Sequence, residues 1–419
     1  MNRTVEVFAD WLGLRGPVLM GILRISHVRG KDVYAFSFDK LWLSSQNPLL
    51  LDPDLTWGHG DQFSADGFGM FLDSAPDRWG RTLIARREAH AARMEGRSPR
   101  HLGDADFLLA VEDLTRMGAL RFRDPQSGIF LSRHPQQPIP PLRLLRELES
   151  AARLLDADTP DDARVDAGLR VLLCPGSSLG GARPKANTID PSGNLWIAKF
   201  PRQSDGVDVG LWEKVTHELA RQSGLRVPES RVEKFSSYGH TFLVKRFDRI
   251  VGERLHYASA MNLLGYHDGD GANQGAGYLE LAELICRYGE NVEEDLRELW
   301  SRIAFSVAVR NADDHLRNHG FLLGKRGWRL SPLFDVNPQP GATSLSLNIT
   351  ENENQMDLDL VREVAPLFRL DHVSANAILR HILDVVSGWQ GLARQYNCST
   401  KDIDCISTAF HAHTTSASG

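Results

Sequence analysis

The sequence predicts an α+β chain, with a mixed α/β front half, a mostly helical back half and a cleft between them. Three observations predict it. Residues 1–60 alternate apolar and polar positions in short runs broken by Gly and Pro ("VLMGILRISH", "VYAFSFD"), the period of strands in a small mixed domain. From Gly176 to Arg249 the pattern runs strand, strand, helix, strand, strand. After Leu279 helical periods dominate ("YLELAELICRYG", "DLRELWSRIAFSVAVRNA"). At 419 residues the chain exceeds one ordinary core, so two or three structural units are expected.

The elements follow in order. "GMFLDSAPDRWGRTLIARREAHAARM" reads as helix, with Pro76 near its start, and "HLGDADFLLAVEDL" as a second helix. "RHPQQPIPPLRLL" is proline-rich and suits a linker, and "LRLLRELESAARLL" beyond it is an amphipathic helix. Further helix is expected over 359–366 and 371–396, and the tail "HAHTTSASG" should fray.

Composition sets limits on function. Hydrophobic residues make up 42% and charged residues 24%, the balance of a soluble globular protein. The net charge of −6 argues against coating nucleic acid by bulk charge and leaves a local basic patch open. Cys174, Cys286, Cys398 and Cys405 form no CxxC and have no suitably spaced His, so neither zinc nor a disulfide framework is indicated; a reducing cytoplasm is expected. Glu6 and Asp10 interrupt the apolar N-terminus, which reads as strand and turn rather than signal peptide. No run is long enough to span a bilayer.

The densest chemistry lies in "NADDHLRNHGFLL", Asn311 to Leu323. Two adjacent acids repel unless a cation sits beside them. Asp313 precedes Asn318 by five positions, the spacing of a phosphotransferase loop in which Asp takes the proton of the attacking hydroxyl and Asn holds magnesium. "GFLLGKRGWRLSPLFD" then reads as a hairpin that returns Asp335 toward the loop. Mg²⁺ prefers hard oxygen donors and needs only one or two carboxylates beside phosphate oxygens and water. An Asp pair that merely caps a turn is the plainer alternative.

Three further stretches join it. In "SSLGGARPK" paired glycines let backbone N–H groups approach phosphate, although the pattern matches neither a Walker A loop nor GxGxxG. In "NLWIAKFP" Lys199 lies on an apolar strand, facing phosphates or, alternatively, solvent. On helix 208–223, Val209, Trp212, Thr216 and Leu219 make one face with Glu213 on its margin, where it pairs with Lys199 or is solvated; Glu218 is the substitute. "HTFLVKRFDR" is a strand entering a charged turn where an inter-lobe linker should lie, with backbone for an adenine edge and Phe247 to pack on the base.

Taken in order, "SSLGGARPKA", "LWIAKFP", "VKRFDR", "RNADDHLRNHGFLL" and "LSPLFDVNP" resemble the HipA family of bacterial serine/threonine protein kinases, toxins of type II toxin–antitoxin modules. The resemblance covers about 176–340; "DSAPDRWGR" and "FLLAVEDLTRMGALRF" extend it loosely to the N-terminal 130 residues. It implies a protein-kinase-like bilobal fold whose D-x-H-x-x-N loop is closer to phosphatidylinositol kinases than to HRD. The implied division is an N-terminal subdomain at 1–135, an N-lobe-like region at 136–250, a helical C-lobe at 251–410 and a tail at 411–419.

By position, Asp313 would be the catalytic base, His315 and Asn318 would meet the phosphates, and Asn318 and Asp335 would bind Mg²⁺ with Phe334 beside the nucleotide. Lys199 would bind ATP phosphates, the loop Gly180, Gly181, Ala182, Arg183, Pro184 and Lys185 would cover them, and Lys245, Arg246 and Phe247 would form the hinge. Ser178, or its neighbour Ser177, falls where the family autophosphorylates; a dianionic phosphoserine there competes for the loop's donors. Asp314 stands where better-known members have a small residue, and Lys245 where an acid is common.

The function implied is an ATP- and Mg²⁺-dependent serine/threonine kinase acting on a cellular protein such as an aminoacyl-tRNA synthetase. A HipB-like helix-turn-helix antitoxin would supply most DNA contact, and no membrane is involved. A small-molecule kinase of the same fold and a catalytically impaired co-repressor are the alternatives.

Overall fold

The computed structural model describes residues 3–28, 31–132, 139–156, 172, 181–250 and 252–410. Cys174, Ser177, Ser178, Gly180, residues 133–138 of the proline-rich linker and the tail 411–419 lie outside the described residues. The chain divides into two compact units, Met1–Phe200 with Lys245–Ala258, and Pro201–Val244 with Ser259–Gly419.

In the first unit, β1 (Arg3–Ala9), β2 (Val18–Val28), β3 (Lys31–Phe38), β4 (Gln62–Ser64) and β5 (Leu120–Arg123) form an antiparallel sheet in the order β4-β3-β2-β1-β5. Alternation aligns the apolar side chains across strands: Val5 faces Leu23, Leu23 faces Phe36 and Val7 faces Phe122, all buried. Phe36, Phe71 and Phe122 extend this layer with ring centroids 5.5 and 5.8 Å apart. The register slips by one between Val7 and Phe8. Gly21 stands at that slip because a Cβ there would lie 2.4 Å from the Ser37 carbonyl oxygen.

The helix expected around Pro76 is two pieces, a turn at Gly69–Leu72 and α1 (Arg78–Met94). Asp77 caps α1 by accepting from Gly80 N–H at 2.8 Å, which explains the break just before it. The amphipathic stretch after the linker forms α2 (Leu145–Asp156), burying Leu145, Leu148, Ala151, Ala152 and Leu155. β6 (Lys185–Ile189) and β7 (Leu195–Lys199) make a hairpin. Asp190 fixes its turn, accepting from the backbone of Ser192 and Asn194 and from Trp196 Nε1.

The charged turn "KRFDR" folds inward. Asp248 is fully buried and accepts from Arg246 Nη2 at 2.6 Å, Arg249 Nη1 at 2.5 Å and Gly118 N–H at 2.9 Å. Arg246 also donates to the Thr115 carbonyl and to Asn187 Oδ1. Burial would push the Asp248 carboxyl up, but the two guanidiniums outweigh it and hold it far below the ordinary carboxylate range.

The second unit begins with α3 (Val209–Gln222), β8 (Ser230–Ser236) and β9 (Gly239–Lys245). Gly210 lets α3 approach β9, since a Cβ there would lie 2.1 Å from the His240 carbonyl oxygen. Then come α4 (Tyr278–Tyr288), α5 (Val292–Val309), the hairpin β10 (Gly320–Leu323) and β11 (Trp328–Leu330), and the helices α6 (Leu358–Val364), α7 (His372–Ser387), α8 (Trp389–Gln395) and α9 (Thr400–Ile406). The last was not expected; Ser399 caps it at Asp402 N–H. From Leu296 to Val309, α5 buries all but one residue, so it is the axis on which its neighbours pack.

Two acids on α5 clamp the hairpin. Asp295, with no exposed surface, accepts from Arg226 Nη2 at 2.8 Å, Arg329 Nε at 2.9 Å and Leu330 N–H at 3.0 Å. Glu298 holds Arg302, which donates to the Ser331 carbonyl at 2.6 Å. Arg226 completes the clamp, its carbonyl accepting from Leu333 N–H at 2.7 Å. No helix among the described residues is long and apolar enough to cross a membrane.

Removing one partner of a buried ion pair costs about 3–5 kcal/mol. Asp248→Asn and Asp295→Ala should each lose about that much in urea denaturation at neutral pH. Asp248 ionises below its unfolded value of about 3.9. The stability it contributes is therefore present above roughly pH 4 and is lost as pH falls through the depressed folded value. Acid unfolding below pH 4 should be shallower in Asp248→Asn than in the parent; equal slopes would mean that other carboxylates dominate.

Candidate functional site

In the second unit, α5 ends at Arg310, whose left-handed backbone (φ 51°) turns the chain out of the helix. Arg310 donates to the Ala342 carbonyl, and Ala312's carbonyl accepts from Ser346 N–H at 3.1 Å and Oγ at 2.8 Å. Asn311 Oδ1 accepts from Asn337 N–H at 3.1 Å, tying the loop to the segment that carries Asp335.

Within the loop, Asn318 is 2% exposed. Its Nδ2 donates to the Asp313 carbonyl at 2.9 Å, while its Oδ1 is buried without a partner. Asn337 Oδ1 is likewise buried and unpartnered. A buried acceptor left unmade costs roughly 1–3 kcal/mol, so it marks strain or a ligand position. Asp313 is exposed, yet surrounding atoms desolvate its carboxyl and raise its pKa; the Asp335 and Asp314 carboxylates reinforce the rise and His315 opposes it. The Asp313 and Asp335 charges are therefore close enough to act on each other. Asp335 adopts a left-handed backbone, φ 57°, uncommon for a residue with a side chain and concentrated at functional sites. Phe334 beside it is buried at 7% exposure.

Asp314 faces the other way, 1% exposed. Its Oδ2 accepts from Tyr278 OH at 2.6 Å and Ser306 Oγ at 3.1 Å. His319 Nε2 lies 3.0 Å from Oδ1, at an angle short of a straight hydrogen bond. Burial would raise its pKa, but His319, Tyr278 and Ser306 together hold it low. The adjacent acids are thus separated by environment, one in the interior and one at the surface, so Asp314 itself does not face a ligand.

The first unit holds the expected phosphate loop, strand lysine and hinge. Lys185 and Lys199 are direct cross-strand partners on β6 and β7, so both side chains rise from one face. Lys185 is 6% exposed, and its Nζ lies 2.8 Å from Asp77 Oδ2. Trp79 Nε1 donates to the Lys185 carbonyl at 2.9 Å. Gly181, φ 92°, has the backbone only glycine adopts readily, and Ala182 beside it is exposed. Arg183 donates to the Phe200 carbonyl, and the buried Pro184 accepts from Phe200 N–H.

At the expected hinge stands Arg246. Its N–H donates to the Leu195 carbonyl and its guanidinium is spent inside the fold, leaving only its carbonyl for a base. Lys245 and Phe247 are half-buried, with Phe247 6.3 Å from the Tyr257 ring. Glu213, expected on a helix margin, is buried at 3% exposure. Glu218 is engaged with Arg221 at 2.6 Å.

Sequence reasoning missed Asp77, Tyr278, Ser306, His319 and Asn337. "DSAPDRWGR" and "LSPLFDVNP" contain Asp77 and Asn337, but only the fold sets Asp77 on a lysine and leaves the Asn337 oxygen unpaired. The hard oxygens here, the Asp335 carboxylate and Asn318 Oδ1, are donors that Mg²⁺ takes readily, and the unpartnered Asn318 oxygen fits such an ion.

Known proteins share sequence and fold with this chain. A relative from Haemophilus influenzae named "Putative kinase" is 26% identical over 204 residues, covering 42% of this chain and 59% of that protein. Another from Sinorhizobium fredii, "Putative kinase Y4dM", is 27% identical over 161 residues, covering 35% and 37%. The chain thus spans less than two thirds of either relative. A chain of the solved Shewanella oneidensis MR-1 complex of HipA, HipB and operator DNA matches with a TM-score of 0.65 over 97% of this chain and 95% of its own length. At 17% identity that likeness shows a shared fold. The family model described as HipA-like C-terminal domain matches residues 177–389, just over half of the 419, and the chain belongs to that family.

Proposed function

We propose that the chain is an ATP-dependent protein kinase that transfers phosphate to a serine or threonine hydroxyl, with a kinase-like, bilobal division of labour. The observation that carries this reading is the Asp313–Asn318–Asp335 group, in which an exposed carboxylate stands in the field of a second one and a buried amide oxygen lacks a partner. The Haemophilus and Sinorhizobium relatives' names support the same class.

In this reading Asp313 accepts the proton as the substrate hydroxyl oxygen bonds to the γ-phosphorus and the bond to the β,γ-bridging oxygen breaks, releasing ADP. Its raised pKa suits a group that must take and hold a proton. Asp335 and Asn318 would hold Mg²⁺, which neutralises phosphate charge when bound. His315 stands near the phosphates with Phe334 beside the nucleotide, and Lys199 and the stretch Gly181 to Lys185 take phosphate charge. Lys245 and Phe247 offer backbone to the base. Ser178 is the site of self-modification in this reading and lies outside the described residues. A helix-turn-helix antitoxin is the proposed partner, because the fold is shared with a complex holding HipB and operator DNA. The protein substrate is a cytoplasmic one, with a translation component as the family precedent.

Asp313→Asn and Asp335→Asn should each lower phosphate transfer at least roughly 10²-fold, as expected for loss of a positioned base. Intact mass after incubation with ATP and Mg²⁺, with mapping of added phosphate, checks this. Label on a metabolite rather than on protein would favour a small-molecule kinase, and an ATP thermal shift without transfer would favour the impaired co-repressor. Full activity in either variant would sink the assignment. Chelating Mg²⁺ should abolish both the transfer and the ATP-induced thermal shift.

A further inference from the structure

We propose that Asp314 is a positioning residue, whose buried carboxylate sets the placement of Asp313 through hydrogen bonds to Tyr278 and Ser306 and its contact with His319. The inference rests on the phosphotransfer reading above and assigns a task to an acid that reading leaves unused.

The loop from Asp313 to His319 is cross-linked twice. Asn318 Nδ2 donates to the Asp313 carbonyl at 2.9 Å, and His319 Nε2 approaches Asp314 Oδ1 at 3.0 Å. These links join neighbouring positions at both ends of the loop, so it has little freedom to open. A loop closed on itself still needs a reference to the rest of the fold. Asp314 Oδ2 provides one, because Tyr278 opens α4 and Ser306 lies in the last turn of α5. Tyr278 is itself fixed, with no exposed surface and its N–H donated to the Asn348 carbonyl at 2.9 Å. His319 returns a further anchor, its carbonyl accepting from Ala260 N–H at 2.7 Å.

A buried carboxylate with donors from two helices and a histidine of the loop's own end beside it does more than fill space. A well-packed apolar side chain would serve a core at least as well without desolvating a charge. What the carboxylate adds is direction. Asp313 and Asp314 are one peptide unit apart, so turning the second inward turns the first outward. A shift of the Asp314 side chain would move Asp313 with it, and a displacement near 1 Å can cost about 10²-fold in rate.

The test compares Asp314→Ala, Asp314→Asn, Tyr278→Phe and Ser306→Ala with the parent. It reads kcat and ATP KM for phosphate transfer, and folding by circular dichroism and thermal melting. In Asp314→Ala, kcat should fall about 10²-fold while ATP KM stays within about 3-fold, the signature of a group displaced from the transition state. Asp314→Asn keeps one oxygen acceptor and should recover part of that loss. Tyr278→Phe and Ser306→Ala, which remove single donors, should fall between Asp314→Asn and the parent. Folded variants with parental kcat would overturn the positioning role. So would a loss that appears as higher KM alone, or that follows the melting temperature with no rescue by Asn. If Asp314→Ala does not fold, Tyr278→Phe and Ser306→Ala decide the matter. An inactive parent overturns the phosphotransfer reading and this inference together, whereas an active parent with indifferent variants overturns this inference alone.

Discussion

The second unit depends on taking one carboxylate out of water beside another that stays in it. Asp313 and Asp314 are chemically alike and adjacent, and only their surroundings tell them apart. Tyr278, Ser306 and His319 surround Asp314, so its charge is satisfied internally. Asp313 keeps its carboxyl toward solvent, raised by crowding and by Asp335. Two like groups are thus pushed apart in their properties by environment alone, which in the phosphotransfer proposal separates a structural duty from a chemical one.

The clamp on α5 does for Asp335 what this arrangement does for Asp313. Asp295 and Glu298 hold the hairpin and the segment after it through Arg226, Arg302 and Arg329, so the stretch that leads to Asp335 is fixed to α5 just as the Asp313 loop is. The first unit uses the same chemistry. Asp248 gathers Arg246, Arg249 and the backbone at Gly118, so the "KRFDR" turn is fixed by charge buried beneath it. Lys185 and Lys199 sit opposite each other, a repulsive placement that Asp77 relieves at one of them.

Much of this was legible in the residues. The strand, strand, helix, strand, strand run before Arg249 reads directly from period and turn residues, and so does the Trp328–Leu330 return toward Asp335. What could not be read were matters of partner choice. Nothing local says that Glu213 is buried rather than on a margin, because burial depends on what packs against the helix. The sequence sets Arg246 at the hinge, but its neighbours do not reveal the carbonyls at Thr115 and Leu195 that consume its donors. The helix near Pro76 appeared continuous since its apolar period persists across the break, and the Asp77 cap that ends that continuity is a local competition which periodicity averages over. Asp314 was ambiguous for the same reason: its donors come from 36 and 8 positions away.

The left-handed backbone at Asp335 narrows what can ever replace it. Glycine enters that conformation freely and asparagine and aspartate tolerate it, whereas other side chains cost roughly 1–2 kcal/mol there. Glutamate would keep the charge but strain the turn, so the substitution most often called conservative is closed to this lineage. Asparagine and glycine are open, and each removes the negative charge while leaving the turn intact. Under the phosphotransfer proposal, a descendant could therefore lose its chemistry in one step and keep its shape, and a silent copy would be hard to tell from an active one by its fold.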